Sequence, residues 1–329
     1  MTLPRKDEAT WLRLLGELFG PSGAPVDRGD DGCVLAPGRW CLSTDALLEH
    51  VDFELDWAPP EAVGHKALAA NLSDLAAMGA DPRYFLLTLG WPEDLPDGAV
   101  EGVLRGMAAL ARGESLGLCG GDLTRSPGGL LISLTVIGAQ EEPALRRSGG
   151  APGDLLFVSG PLGAPKGALN AMRAGARLGG FPPGGGVRSG PSALLDRFFR
   201  PPSQRSLGLF LARSGCASCC MDISDGLSRD LGRLCEASGC GAAVEAARVP
   251  VDPLLSELPR EAALGLALEG GEEQVLLFAV PPGMAAALES APAPAHRIGT
   301  LVEERTLTLV GPDGLVRPLS SHGFDHFVA

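Results

Sequence analysis

The sequence holds a single tyrosine and three lysines, Lys6, Lys66 and Lys166, among its 329 residues. None of the lysines stands in a Gly-x-x-x-x-Gly-Lys-Ser/Thr context, so the common lysine-and-glycine phosphate cradle is excluded. No Gly-x-Gly-x-x-Gly follows a strand pattern, no His-Arg-Asp or Asp-Phe-Gly pair marks a protein kinase, and no Gly-x-Ser-x-Gly elbow marks an α/β-hydrolase. A run of about 18 apolar residues is missing, which excludes a membrane-spanning helix. The N-terminus has no apolar h-region, so no signal peptide is expected. Positive charge is also short. The formal net charge of −13 argues against nucleic acid as the main partner, because a polyanion binder needs a basic face. What basic charge exists is almost all arginine, whose planar fork suits phosphate and carboxylate.

The remaining composition is that of a folded globular chain, 45% hydrophobic and 20% charged. Its length is ample for two domains. Cys33, Cys41, Cys119, Cys235 and Cys240 sit in apolar surroundings, and Cys216, Cys219 and Cys220 form a tighter group. A zinc site would want a second pair or histidines nearby, so the eight cysteines read as buried free thiols. That implies a reducing, cytoplasmic compartment.

Five short segments each deliver an aspartate from a small, polar or glycine-rich setting: Gly29-Asp30-Asp31, Ser43-Thr44-Asp45, Asn71-Leu72-Ser73-Asp74, Gly120-Gly121-Asp122 and Asp222-Ile223-Ser224-Asp225. Like charges repel and raise one another's pKa, so carboxylates gather only around something cationic. Hard oxygen ligands without histidine or thiolate point to Mg2+, and Mg2+ held by aspartates is commonly shared with nucleotide phosphates. Singly, each acid has a plainer reading. Asp31 or Asp122 could be a turn residue bonding its own backbone, and Asp225 a first-turn helix acid favouring the dipole.

Residues 7–19 read as an amphipathic helix through Trp11, Leu12, Leu15, Leu18 and Phe19. Arg39–Ser43 reads as a short strand delivering Thr44 and Asp45 at its end. His65–Met78 reads as a helix whose stripe of Leu68, Leu72 and Leu75 is bordered by Asn71 and Asp74. Strands are expected at 83–90 and 130–139 around a helix at 97–115. The polar, Gly/Pro-rich stretch Gln140–Asp154 marks a domain boundary, giving domains 1–140 and 141–329. Beyond it, strands are expected at 154–159, 242–246, 274–280, 296–301 and 306–310. One helix falls near 163–175, and another starts at Asp222–Gly226 with Ser224 as its N-cap. The class is α/β.

These motifs, in their order, resemble the thiamine-monophosphate kinase family. The strongest stretch runs from Lys66 to Pro82, and Arg147-Ser148-Gly149, Gly270-Gly271-Glu272 and the tail Gly323-Phe324-Asp325-His326-Phe327 follow the family pattern. The resemblance implies a two-domain fold shared with aminoimidazole ribonucleotide synthetase, whose N-terminal domain pairs in a homodimer and whose C-terminal domain closes over the nucleotide. It implies transfer of the ATP γ-phosphoryl to thiamine monophosphate. It assigns Asp31, Ser43, Thr44, Asp45, Asp74, Asp122, Asp222 and Asp225 to Mg2+. Gly121, Asp122, Arg147 and Ser224 go to ATP, and Asp52, Glu272 and Phe324 to the acceptor, with Asp74, Asp122 and Asp222 central to catalysis. The chain departs from the family at Asp52, Leu123, Gln274 and Val275, three of them on or near the acceptor side. A related ATP-dependent enzyme with another acceptor, or a nucleotide-binding homologue, is the alternative those departures raise.

Overall fold

The computed structural model describes residues 6–28, 32–182, 190–320 and 323. They fall into two compact units. The first takes residues within Met1–Leu75, Pro82–Ala139 and Ala176–Val187, and the second those within Ala76–Asp81, Gln140–Gly175 and Arg188–Ala329.

The first unit contains helix α1 (Glu8–Phe19), strand β1 (Trp40–Leu48), most of helix α2 (Pro60–Ala77), strand β2 (Asp81–Trp91), helix α3 (Asp97–Glu114), strand β3 (Gly117–Arg125) and strand β4 (Leu131–Ala139). Its sheet runs β1-β4-β2-β3. Asp7 caps α1, its Oδ1 accepting from Thr10 N at 2.9 Å. Pro60 occupies the first turn of α2, where its missing N–H costs no bond. A Cβ on Gly64 would meet Val103 O at 1.9 Å and one on Gly106 would meet Glu61 O at 1.9 Å. Only glycine lets the α2 and α3 backbones approach this closely. Val63, Leu68, Leu75, Val103 and Met107 are fully buried there, each contributing roughly 1.5–3 kcal/mol by burial.

The second unit is built on a seven-stranded sheet in the order β11-β10-β7-β9-β5-β8-β6. The strands are β5 (Leu155–Val158), β6 (Cys219–Ile223), β7 (Gly241–Glu245), β8 (Val275–Val280), β9 (His296–Val302), β10 (Leu307–Val310) and β11 (Val316–Pro318). Helices α4 (Ala164–Arg173), α5 (Pro191–Phe199), α6 (Arg205–Ser214), α7 (Leu227–Ser238) and α8 (Arg260–Glu269) complete it. Every residue of β8 is buried, and the strand's period of two divides them between two cores. Val275, Leu277 and Ala279 pack with Leu227, Leu231 and Leu234 of α7. Leu276, Phe278 and Val280 pack with Leu207 and Leu211 of α6. Helices therefore cover both faces of the sheet.

Several local expectations change. The strand expected at 39–43 runs on to Leu48, so Thr44 and Asp45 lie inside it, opposite Thr135 and Leu134 of β4. The α2 helix starts five residues before His65, at Pro60. Gly120-Gly121-Asp122 is not a turn but the middle of β3, paired in parallel with β2. Helix α7 begins at Leu227 with Gly226 as its N-cap, so Ser224 does not cap it. Helices α5, α6 and α8 have no counterpart among the expected elements, although Gly190-Pro191, Pro201-Pro202 and Pro259 stand at or just before their starts.

Candidate functional site

In the first unit two sequence-distant motifs meet. Ser43 Oγ donates to Asp74 Oδ2 at 2.6 Å. Strand β1 turns Cys41, Ser43 and Asp45 to one face, and α2 offers Asp74 from the edge of its buried stripe. Burial, and then the Asp74 charge, raise the Cys41 thiol above its ordinary pKa, so it stays protonated. The plainer neighbours are also visible. Thr44 Oγ1 donates to Leu134 O at 2.9 Å, and Asp45 Oδ1 accepts from Ala46 N at 2.9 Å. Asn71 is fully buried, its Nδ2 donating to Ala67 O while its Oδ1 finds no partner among the described residues.

Gly121 and Asp122 stand on β3 across from Leu87 and Thr88. Gly121 has φ +153°, and a Cβ there would meet Leu87 O at 1.9 Å, so the position demands glycine. Asp122 is exposed on this edge strand. A cleft of about 610 Å3 opens beside it, lined among others by Leu15, Arg28, Cys33, Cys119, Gly121 and Asp122.

In the second unit Asp222 is buried near the end of β6, opposite Leu276. The following loop is organised by a residue the sequence reading missed. Asp230 is fully buried on α7, and its Oδ2 accepts from the backbone N of Ser224 at 3.0 Å, Asp225 at 2.9 Å and Gly226 at 3.2 Å. Burial raises its pKa against those bonds. The one available signal was an acid four residues beyond the helix N-cap, where it can reach back over the free N–H groups. Asp225 is paired with Arg233 at 2.7 Å and Arg229 at 3.8 Å.

Glu272 is held against the same loop, its N donating to Ser224 O at 2.7 Å. Glu272 and Gln274 both have left-handed backbones, φ 70° and 48°, which is strained for residues with side chains. Between them Glu273 is fully buried, its Oε1 accepting from Gly163 N at 2.5 Å and its Oε2 unpartnered among the described residues. Burial is the largest cause that pushes the Glu273 carboxyl up to about 8.

Arg147 is exposed, and its carbonyl accepts from Ser238 Oγ. Asp52 is half-buried in the first unit, and its Oδ2 accepts from Leu48 N at 2.8 Å, closing its own turn. Gly323 lies against Asp225 O and Arg229. Asp31 and Phe324 lie outside the described residues. Among those residues, the metal-type grouping with ligand atoms within 4.8 Å is Glu49, His50 and Glu54, not a set of the candidate aspartates.

The fold and these motifs define an AIR synthase related protein. Residues 29–140 match the family's N-terminal domain and 151–311 its C-terminal domain. Within that class the chain belongs to the thiamine-monophosphate kinase family. It is 34% identical to the thiamine-monophosphate kinase of Salmonella typhimurium over 91% of both chains. Among solved structures, the thiamine-monophosphate kinase of Stenotrophomonas maltophilia has a TM-score of 0.78 at 33% identity, covering 95% of this chain and 98% of that one. A structure of AaThiL complexed with AMPPCP and TMP has a TM-score of 0.76 at 27% identity, covering 99% and 100%. The Escherichia coli hydrogenase maturation protein HypE, at 22% identity and a TM-score of 0.76, shares the fold. Among the described residues no helix is long and apolar enough to cross a membrane.

Proposed function

We propose that this chain transfers the γ-phosphoryl of ATP to thiamine monophosphate, giving thiamine diphosphate and ADP. The observation that carries the reading is the likeness over 99% of the chain to the AaThiL complex with AMPPCP and TMP. The kinase reading stands ahead of a HypE-like one on identity, 34% against 22%.

The acceptor nucleophile is already an anionic phosphate oxygen, so no strong base is required. The difficulty is bringing two polyanions together, which is a matter of positioning and charge. Gly121 allows the backbone of β3 to approach a phosphate, and Asp122 follows it. Arg147 offers an exposed fork for a second phosphate contact. Ser224 belongs to a loop that Asp230 pins in place. Glu272, with Asp52 and Phe324, is assigned to the acceptor.

Mg2+ fits the donors. Ser43, Thr44, Asp45, Asp74 and Asp122 in the first unit, and Asp222 and Asp225 in the second, supply only hard oxygens. Cys41, the thiol beside Ser43 and Asp74, is kept protonated by burial. Asp31 joins the same set by motif. When bound, Mg2+ neutralises phosphate charge and orients the oxygens. Asp225, were it to hold an ion, would exchange its Arg233 contact for it. Ser43 holds Asp74 in one rotamer, so its carboxylate need not reorganise.

A homodimer is supported by the outward face of β1. This strand lies at one edge of its sheet, and Leu42 and Leu48 are 61% and 43% exposed on the face opposite Ser43. A cytoplasmic setting agrees with eight free cysteines.

The test is purified protein with ATP, Mg2+ and thiamine monophosphate, scored for thiamine diphosphate and ADP. Formation of both is expected. ATP consumption without the diphosphate would move the reading to another acceptor, the outcome that the turn-bound Asp52 and the Gln274–Glu272 contact at 3.4 Å would then explain.

A further inference from the structure

Two cysteines 86 residues apart in sequence place their Sγ atoms 3.5 Å from each other. Cys33 is half-buried at the cleft beside Asp122, and Cys119 is buried on β3, immediately before Gly120-Gly121-Asp122. Cys119 Sγ also lies 3.5 Å from Phe85 O, which fixes its rotamer toward Cys33. The sulfurs are within about 1.5 Å of the bonding distance for a disulfide. Neither thiol has a part in the phosphoryl transfer proposed above.

We propose that Cys33 and Cys119 form a redox modification site, a dithiol that a peroxide converts reversibly to a disulfide across the mouth of this cleft. The division of labour follows from burial. Burial, and then the neighbouring Cys33 sulfur, push the Cys119 thiol up to about 12, so Cys119 is the resolving partner and the more accessible Cys33 meets the oxidant. Cys33 sulfur attacks one peroxide oxygen, the O–O bond breaks, and Cys33 becomes a sulfenic acid while water leaves. Cys119 sulfur then displaces hydroxide from the sulfenic sulfur; the S–S bond forms and a second water leaves. Two electrons and two protons pass from the thiols to the peroxide. A dithiol reductant reverses the change.

The five cysteines of the second unit do not offer this combination. Cys235 and Cys240 are neighbours, but both are buried in the core of the second unit at 3% and 4% exposure, with Cys235 pushed up to about 12 by burial. Cys216, Cys219 and Cys220 are likewise buried. An oxidant therefore reaches Cys33 before any of them. The link would tie the segment that follows Asp31 to the strand carrying Gly121 and Asp122. On the proposed reading of those residues as nucleotide contacts, it would also lower ATP turnover.

The experiment treats the reduced, full-length protein with hydrogen peroxide, alkylates the remaining thiols, and maps the digest by mass spectrometry. A Cys33–Cys119 linked peptide is expected, with loss of two titratable thiols and a protein mass lower by two hydrogens, all restored by dithiothreitol. Cys33→Ser removes the product without changing the thermal midpoint. Cys119→Ser leaves a Cys33 sulfenic acid that dimedone captures. Sulfinic acid at Cys33 with Cys119 still free, or a Cys235–Cys240 link formed first, would overturn the proposal. These readouts do not depend on turnover, so they stand apart from any failure of the kinase assay.

Discussion

Ser43 on β1 and Asp74 on α2 are joined by a 2.6 Å hydrogen bond between hydroxyl and carboxylate. The bond makes one unit of two motifs that lie 31 residues apart. Asp74→Asn keeps the shape but removes the charge. It should lower kcat/KM by about two orders of magnitude or more, the scale of losing a preorganised charged contact in phosphoryl transfer. Ser43→Ala, which leaves the charge but frees its rotamer, should cost about tenfold to a hundredfold. Circular dichroism and thermal midpoint should stay near wild type for both. Substantial turnover by Asp74→Asn at saturating Mg2+ would remove Asp74 from the machinery.

Asp230 is the buried clamp of the 224–226 loop. Asp230→Ala strands three backbone donors and should destabilise the protein by about 2–3 kcal/mol in urea unfolding. Asp230→Asn keeps an acceptor oxygen and should cost about 1 kcal/mol. If the alanine variant unfolds at the wild-type urea midpoint, the capping role is wrong.

Gly121→Ala puts a methyl 1.9 Å from Leu87 O in a backbone region that L residues avoid. The β2–β3 pairing must open, at about 3 kcal/mol or more, or the protein becomes insoluble. Gly120→Ala meets only the end of the Leu86 side chain, at 3.0 Å, and should be far milder. Equal stability of the two variants would contradict the assigned register.

Glu273 should make stability depend on pH. Its folded carboxyl is pushed up to about 8 from an ordinary 4.5 by burial. Between those values the folded chain holds a proton that the unfolded chain releases. Stability from this group is therefore present at low pH and is lost as pH rises toward 8, by up to about 1.4 kcal/mol per pH unit. Glu273→Gln keeps an oxygen for Gly163 N and cannot titrate, so its urea midpoint should fall less between about pH 6 and about pH 9. Identical pH slopes for variant and wild type would show that Glu273 is not the group responsible.

Much of the second unit was readable because its signals are local. The continuous apolar run of β8 announces a strand buried on both faces, and Leu227, Leu231 and Leu234 announce one side of α7. Strand β3 was not readable. Gly117, Gly120 and Gly121 look like turn residues, and their strand character comes only from pairing with β2. The loop at Ser224 was misread for a related reason. A serine before an apolar helix resembles an N-cap, but a buried acid further along the helix takes the free N–H groups.

By itself the sequence determined the α/β class, the run of aspartates in small-residue settings, the absence of a lysine phosphate cradle and the family resemblance. Each rests on residue type and short spacing. Tertiary structure decided that Ser43 holds Asp74, that Gly121 must pass Leu87, that Asp230 fixes the Ser224 loop and that Cys33 faces Cys119. Those relations depend on strand register and helix packing, which bring together residues up to 86 positions apart and which no local pattern encodes.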